Sequence, residues 1–174
     1  MKIHSESRLR HPLATVYATY RDRMPEIAAY MPDIDRIEVR SRAQGPKGPR
    51  LINVWHAKNN IPKVAQGIVK PEWLYWEDHA EWDDQNTWVD WTLIVPTFRE
   101  GVKCSGRNQF IADGAGTRVL LTGDLQIAIR DVPGVPKLLA GRIAPKVEEF
   151  IVKLVTPNLE RVNGSLGAFL DAQG

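Results

Sequence analysis

The change of hydrophobic period along the chain constrains its fold more than any other feature. From residue 34 to about residue 130, apolar residues alternate with polar ones in short runs bounded by turn residues; from 145 to 171 they recur at three and four. A period of two describes a strand with one buried face, and a period near 3.6 a helix with one buried stripe. Any fold for this chain must set a run of antiparallel strands against one long helix. The strand runs are "IDRIEVRSRA", "RLINVWHAK", and residues 73–82, 86–95, 101–112 and 116–130. The stretches "GPKGP", "DDQN", "PTFRE" and "DGAG" separate them, which is the spacing and turn chemistry of a meander. Residues 59–71, around Pro62 and Pro71, read as a connection with one helical turn.

The opening "KIHSESRL" predicts a further strand with Ile3, Ser5, Ser7 and Leu9 on one face. Two short helices follow. Pro12 suits a first turn before Leu13, Val16, Tyr17 and Tyr20, and Pro25 opens a second helix that carries Ile27, Tyr30 and Met31 and ends at Pro32. At the other end, Val147, Phe150, Ile151, Leu154 and Val155 form a helical stripe that Val162, Leu166, Phe169 and Leu170 continue beyond Pro157, where a kink or break is expected. Over 145–171 this helix would be about 40 Å long, enough to cross a sheet of ten-residue strands.

Composition narrows the function classes. The chain has 174 residues, 43% hydrophobic and 25% charged, with a net charge of +2. One domain over 1–174 is expected, with a core large enough to enclose a cavity. The charge balance lacks the basic footprint of a nucleic-acid binder. Cys104 is the only cysteine, no run approaches the roughly 18 apolar residues of a membrane span, and the first residues lack a signal-peptide core. A soluble, cytoplasmic protein is expected, as a monomer or homodimer.

The order of elements resembles that of the helix-grip superfamily, which includes START lipid-transfer domains, the birch-pollen-allergen group and polyketide cyclases. "HPLATVYATYRD" resembles its first helix, "MPEIAAYMPDIDRIEV" its second helix entering the second strand, and "KVEEFIVKLV" with "GAFL" its closing helix. The stretch "VPGVPKLLAGRIAPKVEEFI" is similar to an uncharacterised bacterial subgroup. The resemblance implies an α+β fold: a strongly bent seven-stranded antiparallel sheet wrapped around a long C-terminal helix, with two short helices after strand 1. It also implies an apolar ligand held between sheet and helix.

Five of the six tryptophans fall in "WLYWEDHAEWDDQNTWVDW", residues 73–91. Alternation divides them. Trp76, Trp82 and Trp91 are expected to point inward, with Asp78 on their face, and Trp73 and Trp88 outward among acids. The inward rings suit either core filling or a pocket wall. Acids beside the outward rings would repel phosphates, which disfavours nucleic acid and an anionic membrane there. On the neighbouring strands Asn108 and Phe110 face inward near Cys104 and Gly106, and Leu121 and Leu125 flank Gly123, whose lack of a side chain marks a bend or a close approach by another group. Asp78 and Asn108 are polar groups on apolar faces and need partners.

No catalytic set is evident. There is no GxSxG, HExxH or CxxC; Glu77, His79 and Glu81 alternate onto one strand face without a fourth zinc ligand and read as a solvated face, so neither metal nor cofactor is expected. The expected ligand site is Trp76, Asp78, Trp91, Asn108, Phe110, Leu121, Leu125, Phe150 and Leu154. The expected function is binding or transport of a hydrophobic small molecule of lipid, isoprenoid or polyketide type. Two alternatives stay open. One is a polyketide cyclase or aromatase-type enzyme with Asp78, Asn108 or a tyrosine moving protons. The other is an interaction module that docks an acidic partner on the basic row Arg36, Arg40, Arg42, Lys47 and Arg50.

Overall fold

In a computed structural model, which describes residues 1–61, 69–130 and 132–174, the strands pair in the order β1-β7-β6-β5-β4-β3-β2 as one antiparallel sheet. The strands are β1 (Lys2–Leu9), β2 (Ile34–Gln44), β3 (Pro49–Ala57), β4 (Tyr75–Asp83), β5 (Trp88–Ile94), β6 (Val102–Asp113) and β7 (Gly116–Ile127). Each hairpin joins sequence neighbours, and β1 closes onto β7. Two short helices, α1 (Leu13–Asp22) and α2 (Met24–Ile27), follow β1, and α3 (Lys137–Asp171) closes the chain. This is the architecture the sequence predicts.

The alternation works where a strand is covered on one face. Val89, Trp91 and Leu93 of β5 are buried, as are Val119, Leu121 and Leu125 of β7. Three expectations need correction. Val39, which alternation from Ile37 predicts inside, is 44% exposed: the pairing runs in register from Ile37 opposite Trp55 to Val39 opposite Asn53, so Val39 keeps the face of buried Ile37, but it lies on the edge strand of the sheet, where that face opens to solvent. Trp73, expected outside, is buried: β4 begins only at Tyr75, and Pro71 opens a 3-10 turn (Pro71–Trp73) that turns the ring edge-on to Phe98 at 5.2 Å. Of the connection expected over 59–71, residues 62–68 lie outside the described residues.

The third correction concerns α3, which begins at Lys137 and runs unbroken through Pro145 and Pro157. Pro157 has no N–H for the carbonyl one turn back. Next to it, Asn158 Nδ2 donates to the Leu154 carbonyl oxygen at 2.7 Å, adding a side-chain bond where the proline weakens the backbone ladder. After Pro157 the helix is tied down by Arg161 to Asp33, Asn163 to Ser7, Ser165 to the Tyr30 carbonyl, and Asp171 to His11. The stripe that packs inward before it is Val147, Ile151 and Val155; Phe150 and Leu154 are half-buried beside it.

Candidate ligand site between the sheet and the long helix

The inner face of the sheet carries rings at positions set by register. The β4–β5 hairpin turns over 84–87, with Asp83 accepting from the backbone and side chain of Asn86 at 3.0 Å each. That register sets Ala80 opposite Trp91 and Trp82 opposite Val89, so Trp76 and Trp91 are not cross-strand neighbours. Trp76 instead pairs with Trp55 of β3, and the two rings stack at 5.7 Å. Trp82 stacks on Phe110 at 6.0 Å, and Tyr17 and Tyr20 of α1 meet both rings edge-on.

Trp91 occupies the floor. It lies opposite Gly106, which pairs in turn with Gly123. A Cβ on Gly106 would stand 2.4 Å from the indole, and one on Gly123 2.8 Å from it. The two glycines let the ring lie on the backbone of the sheet. Its Nε1 donates to Asn108 Oδ1 at 2.9 Å, and Asn108 Nδ2 donates to the Tyr20 hydroxyl at 3.0 Å. Burial and then the charge of Asp78 push the Tyr20 pKa well above its usual value, so this hydroxyl keeps its proton.

Between these rings and the helix is a cavity of about 30 Å³. Tyr20 and Met24 line it from the short helices, Asn53 and Trp55 from β3, Trp76, Asp78, Ala80 and Trp82 from β4, Val89, Trp91 and Leu93 from β5, Asn108 from β6, and Asn158, Leu159 and Val162 from α3. Among the described residues, nine side-chain atoms are buried without a hydrogen-bond partner in the protein. Five of them belong to residues on this lining: Asn53 Oδ1, Trp55 Nε1, Asp78 Oδ1, Trp82 Nε1 and Asn158 Oδ1. A polar atom left so costs on the order of 1–3 kcal/mol. Asp78 is half-buried overall, but its Oδ1 is sealed. Burial pushes the carboxyl up to about 6; the Asn53 amide, His79 and the Trp55 indole offset only part of that, the indole lying near the carboxyl but outside hydrogen-bond geometry, so it remains unpartnered.

Of the residues expected to form the site, the structure brings Trp76, Asp78, Trp91 and Asn108 to this lining. Phe110, Leu121 and Leu125 are buried in the packed core beside it, and Phe150 and Leu154 lie off the lining. Sequence reasoning missed Asn53, Trp55 and Asn158. "RLINVWHAK" shows no clear inner face because Val54 is buried along with Asn53 and Trp55. Asn158 was hidden behind the proline, although an asparagine on the apolar phase of a helix is a signal of the same kind as Asn108.

The outward residues are used within the chain. Arg107 covers the Trp88 ring at 4.0 Å and pairs with Asp90. Glu77 bonds His79 at 2.9 Å and Arg40. In the basic row, Arg36 pairs with Asp35 and Glu38, Arg42 with Asp22, Lys47 with Asp83 and Arg50 with Glu81. Cys104 is buried, and burial first, then Asp124 and Asp78, push its thiol up to about 12, which leaves it unreactive. No helix among the described residues is long and apolar enough to cross a membrane.

No family model and no curated protein matches the chain. Solved structures do. TTHA0849 from Thermus thermophilus is 22% identical with a TM-score of 0.69, the alignment covering 100% of this chain and 99% of that one. The Zhui aromatase/cyclase from Streptomyces sp. R1128 is 15% identical with a TM-score of 0.64, covering 100% and 98%. Norcoclaurine synthase from Thalictrum flavum is 12% identical with a TM-score of 0.58, covering 98% and 86%. With its seven-stranded sheet, its short helices after strand 1 and its long closing helix, the chain has the helix-grip fold.

Proposed function

We propose that this protein binds a small, largely apolar molecule with a polar end, of lipid, isoprenoid or polyketide type, between the tryptophan-lined sheet and α3. One observation carries the reading: five buried polar atoms without partners belong to residues on one ring-lined cavity. Three are acceptors and two are indole donors, so the polar end they suit both donates and accepts. An apolar wall with a few unsatisfied polar groups is how ligand sites set orientation. At about 30 Å³ the closed cavity has room for about two waters. A ligand therefore enters by displacing Met24, Leu159 and Val162, and α3 is weakest where Pro157 interrupts its hydrogen bonding. Similar structures include a protein named an aromatase/cyclase and one named norcoclaurine synthase, which supports a small-molecule ligand or substrate for this fold.

The test is a panel of lipids, isoprenoids and aromatic polyketides read by tryptophan fluorescence and melting temperature. A true ligand at about a hundred times its Kd is expected to raise Tm by roughly 5–10 °C. Trp55→Phe, which removes an unpartnered donor, is expected to weaken that response, and Trp88→Phe to leave it intact. A panel that moves neither signal defeats the reading and leaves the rings as core.

One observation favours a second reading, an enzyme of the cyclase or aromatase type. A carboxyl that titrates near 6 beside a protonated Tyr20 can take up and return a proton near neutral pH. In that case Asp78→Asn is expected to abolish turnover of a bound substrate while keeping the ligand-induced rise in Tm. A carrier would show no turnover to lose.

A further inference from the structure

The first turns of α3 expose what the rest of the surface keeps covered. Leu138 is 97% exposed and Leu139 46% exposed. The other large apolar side chains exposed among the described residues, Met1, Tyr30 and Val39, are scattered. The stretch that carries the two leucines is basic: between Asp131 and Glu148 the chain holds Lys137, Arg142 and Lys146 and no acidic residue. The same end of the fold holds Lys70, whose amine lies 3.7 Å from where a Cβ on Gly134 would stand, and a groove lined by Arg99, Lys103 and Arg130 with one acid, Glu100.

This arrangement works against the stability of the free protein. Cations near a helix N-terminus oppose the helix dipole, and α3 has no acid in its first turn to offset them. A fully exposed leucine gains nothing from burial in the folded chain. A local rule broken without a compensating contact marks a place used for something else. Adjacent leucines ringed by lysine and arginine have the chemistry of an interfacial helix, with apolar side chains entering the acyl boundary and cations pairing with anionic headgroups.

We propose that the N-terminal end of α3 docks this protein peripherally onto an anionic lipid bilayer, with Leu138 and Leu139 inserted and Lys137, Arg142 and Lys146 on the headgroups. This is separate from the ligand reading, since a protein that binds no small molecule can still associate with a bilayer.

The test is co-sedimentation of the full chain with vesicles of phosphatidylcholine alone and of phosphatidylcholine mixed with phosphatidylglycerol. Binding is expected to the mixed vesicles, and to weaken as salt is raised. Leu138→Glu is expected to weaken it by about tenfold or more, and Lys137→Glu with Arg142→Glu by a similar factor or more. These side chains are exposed, so the variants are expected to melt no lower than the parent, and the Lys137→Glu with Arg142→Glu variant slightly higher because it relieves the helix dipole, which checks that folding is intact. No sedimentation with anionic vesicles, equal sedimentation with neutral ones, or substitutions without effect each overturn the proposal. So does a chain that self-associates without lipid and becomes monomeric in Leu138→Glu, which would make a second copy the occupant of this face.

Discussion

Replacing Asp78 by asparagine is expected to stabilise the protein at pH 8 by about 3 kcal/mol and to leave it almost unchanged at pH 4. The sign follows from the direction in which burial moves the carboxyl. Its folded-state pKa rises from the ordinary 3.8 to about 6, so the folded chain holds this proton more tightly than the unfolded chain. The protonated carboxyl carries no penalty below about pH 4, where both states are protonated. As pH rises from about 4 through 6 the unfolded state gives up the proton first, and stability falls by about 1.4 kcal/mol for each pH unit crossed between the two pKa values. Above that window the full penalty is present. Asparagine keeps the shape and removes the charge. Its amide finds Asn53 Oδ1, an acceptor without a partner, on the paired strand. Urea denaturation of both proteins at pH 4 and pH 8 reads the effect. A variant that is less stable at pH 8, or one with the parent's pH slope, would show that the carboxyl is not the source of the penalty.

A neutral side chain would thus serve the fold better than the one present. Groups that lower stability without packing benefit concentrate where proteins bind or react. The same logic covers the two unpartnered indole nitrogens. A core filled only for stability would take phenylalanine at Trp55 and Trp82, which buries a ring and leaves no orphaned donor. Asp78, Trp55 and Trp82 together are therefore stronger grounds for a ligand than the cavity volume, which is small in the closed state.

How much of this was legible beforehand depended on whether a residue obeyed its period. The seven strands, the short helices and the closing helix follow from alternation, prolines and turn residues, because each element buries one face. Trp76, Asp78, Trp91 and Asn108 were legible for the same reason: each lies on the inward phase of a regular strand. The failures lie where an element departs from its own rule. Val39 lies where the edge strand β2 opens to solvent, a 3-10 turn rather than a strand holds Trp73, and continuous burial of Asn53, Val54 and Trp55 hid the inner face of β3. Which ring neighbours which was not legible, since the hairpin turn places Trp91 opposite Ala80 rather than near Trp76. Pairing of this kind is fixed by turn geometry, which alternation does not report.

Gly123 was legible as a bend or a close approach, and in the structure Trp91 is the group that approaches; removing that ring is expected to have a large effect. Trp91→Ala is expected to cost about 3–5 kcal/mol, since it empties a buried ring site and takes the donor from Asn108 Oδ1. The glycines under the ring give a sharper test. Gly123→Ala is expected to cost about 1–3 kcal/mol in the parent protein, because its Cβ meets the indole at 2.8 Å. In the Trp91→Ala background that cost is expected to fall well below its parent value, because the Ser105 carbonyl oxygen at 3.1 Å is then the nearest obstacle. Gly106→Ala has no such rescue. Its Cβ would also stand 2.2 Å from the Thr122 carbonyl oxygen, a backbone atom of the paired strand that remains whether or not the ring is present. Two double-mutant cycles by urea denaturation therefore separate ring from backbone: strong coupling for Trp91 with Gly123, weak coupling for Trp91 with Gly106. Equal coupling in both cycles, or none in either, would mean that the indole does not lie on the glycine pair and that the floor of the cavity is built differently.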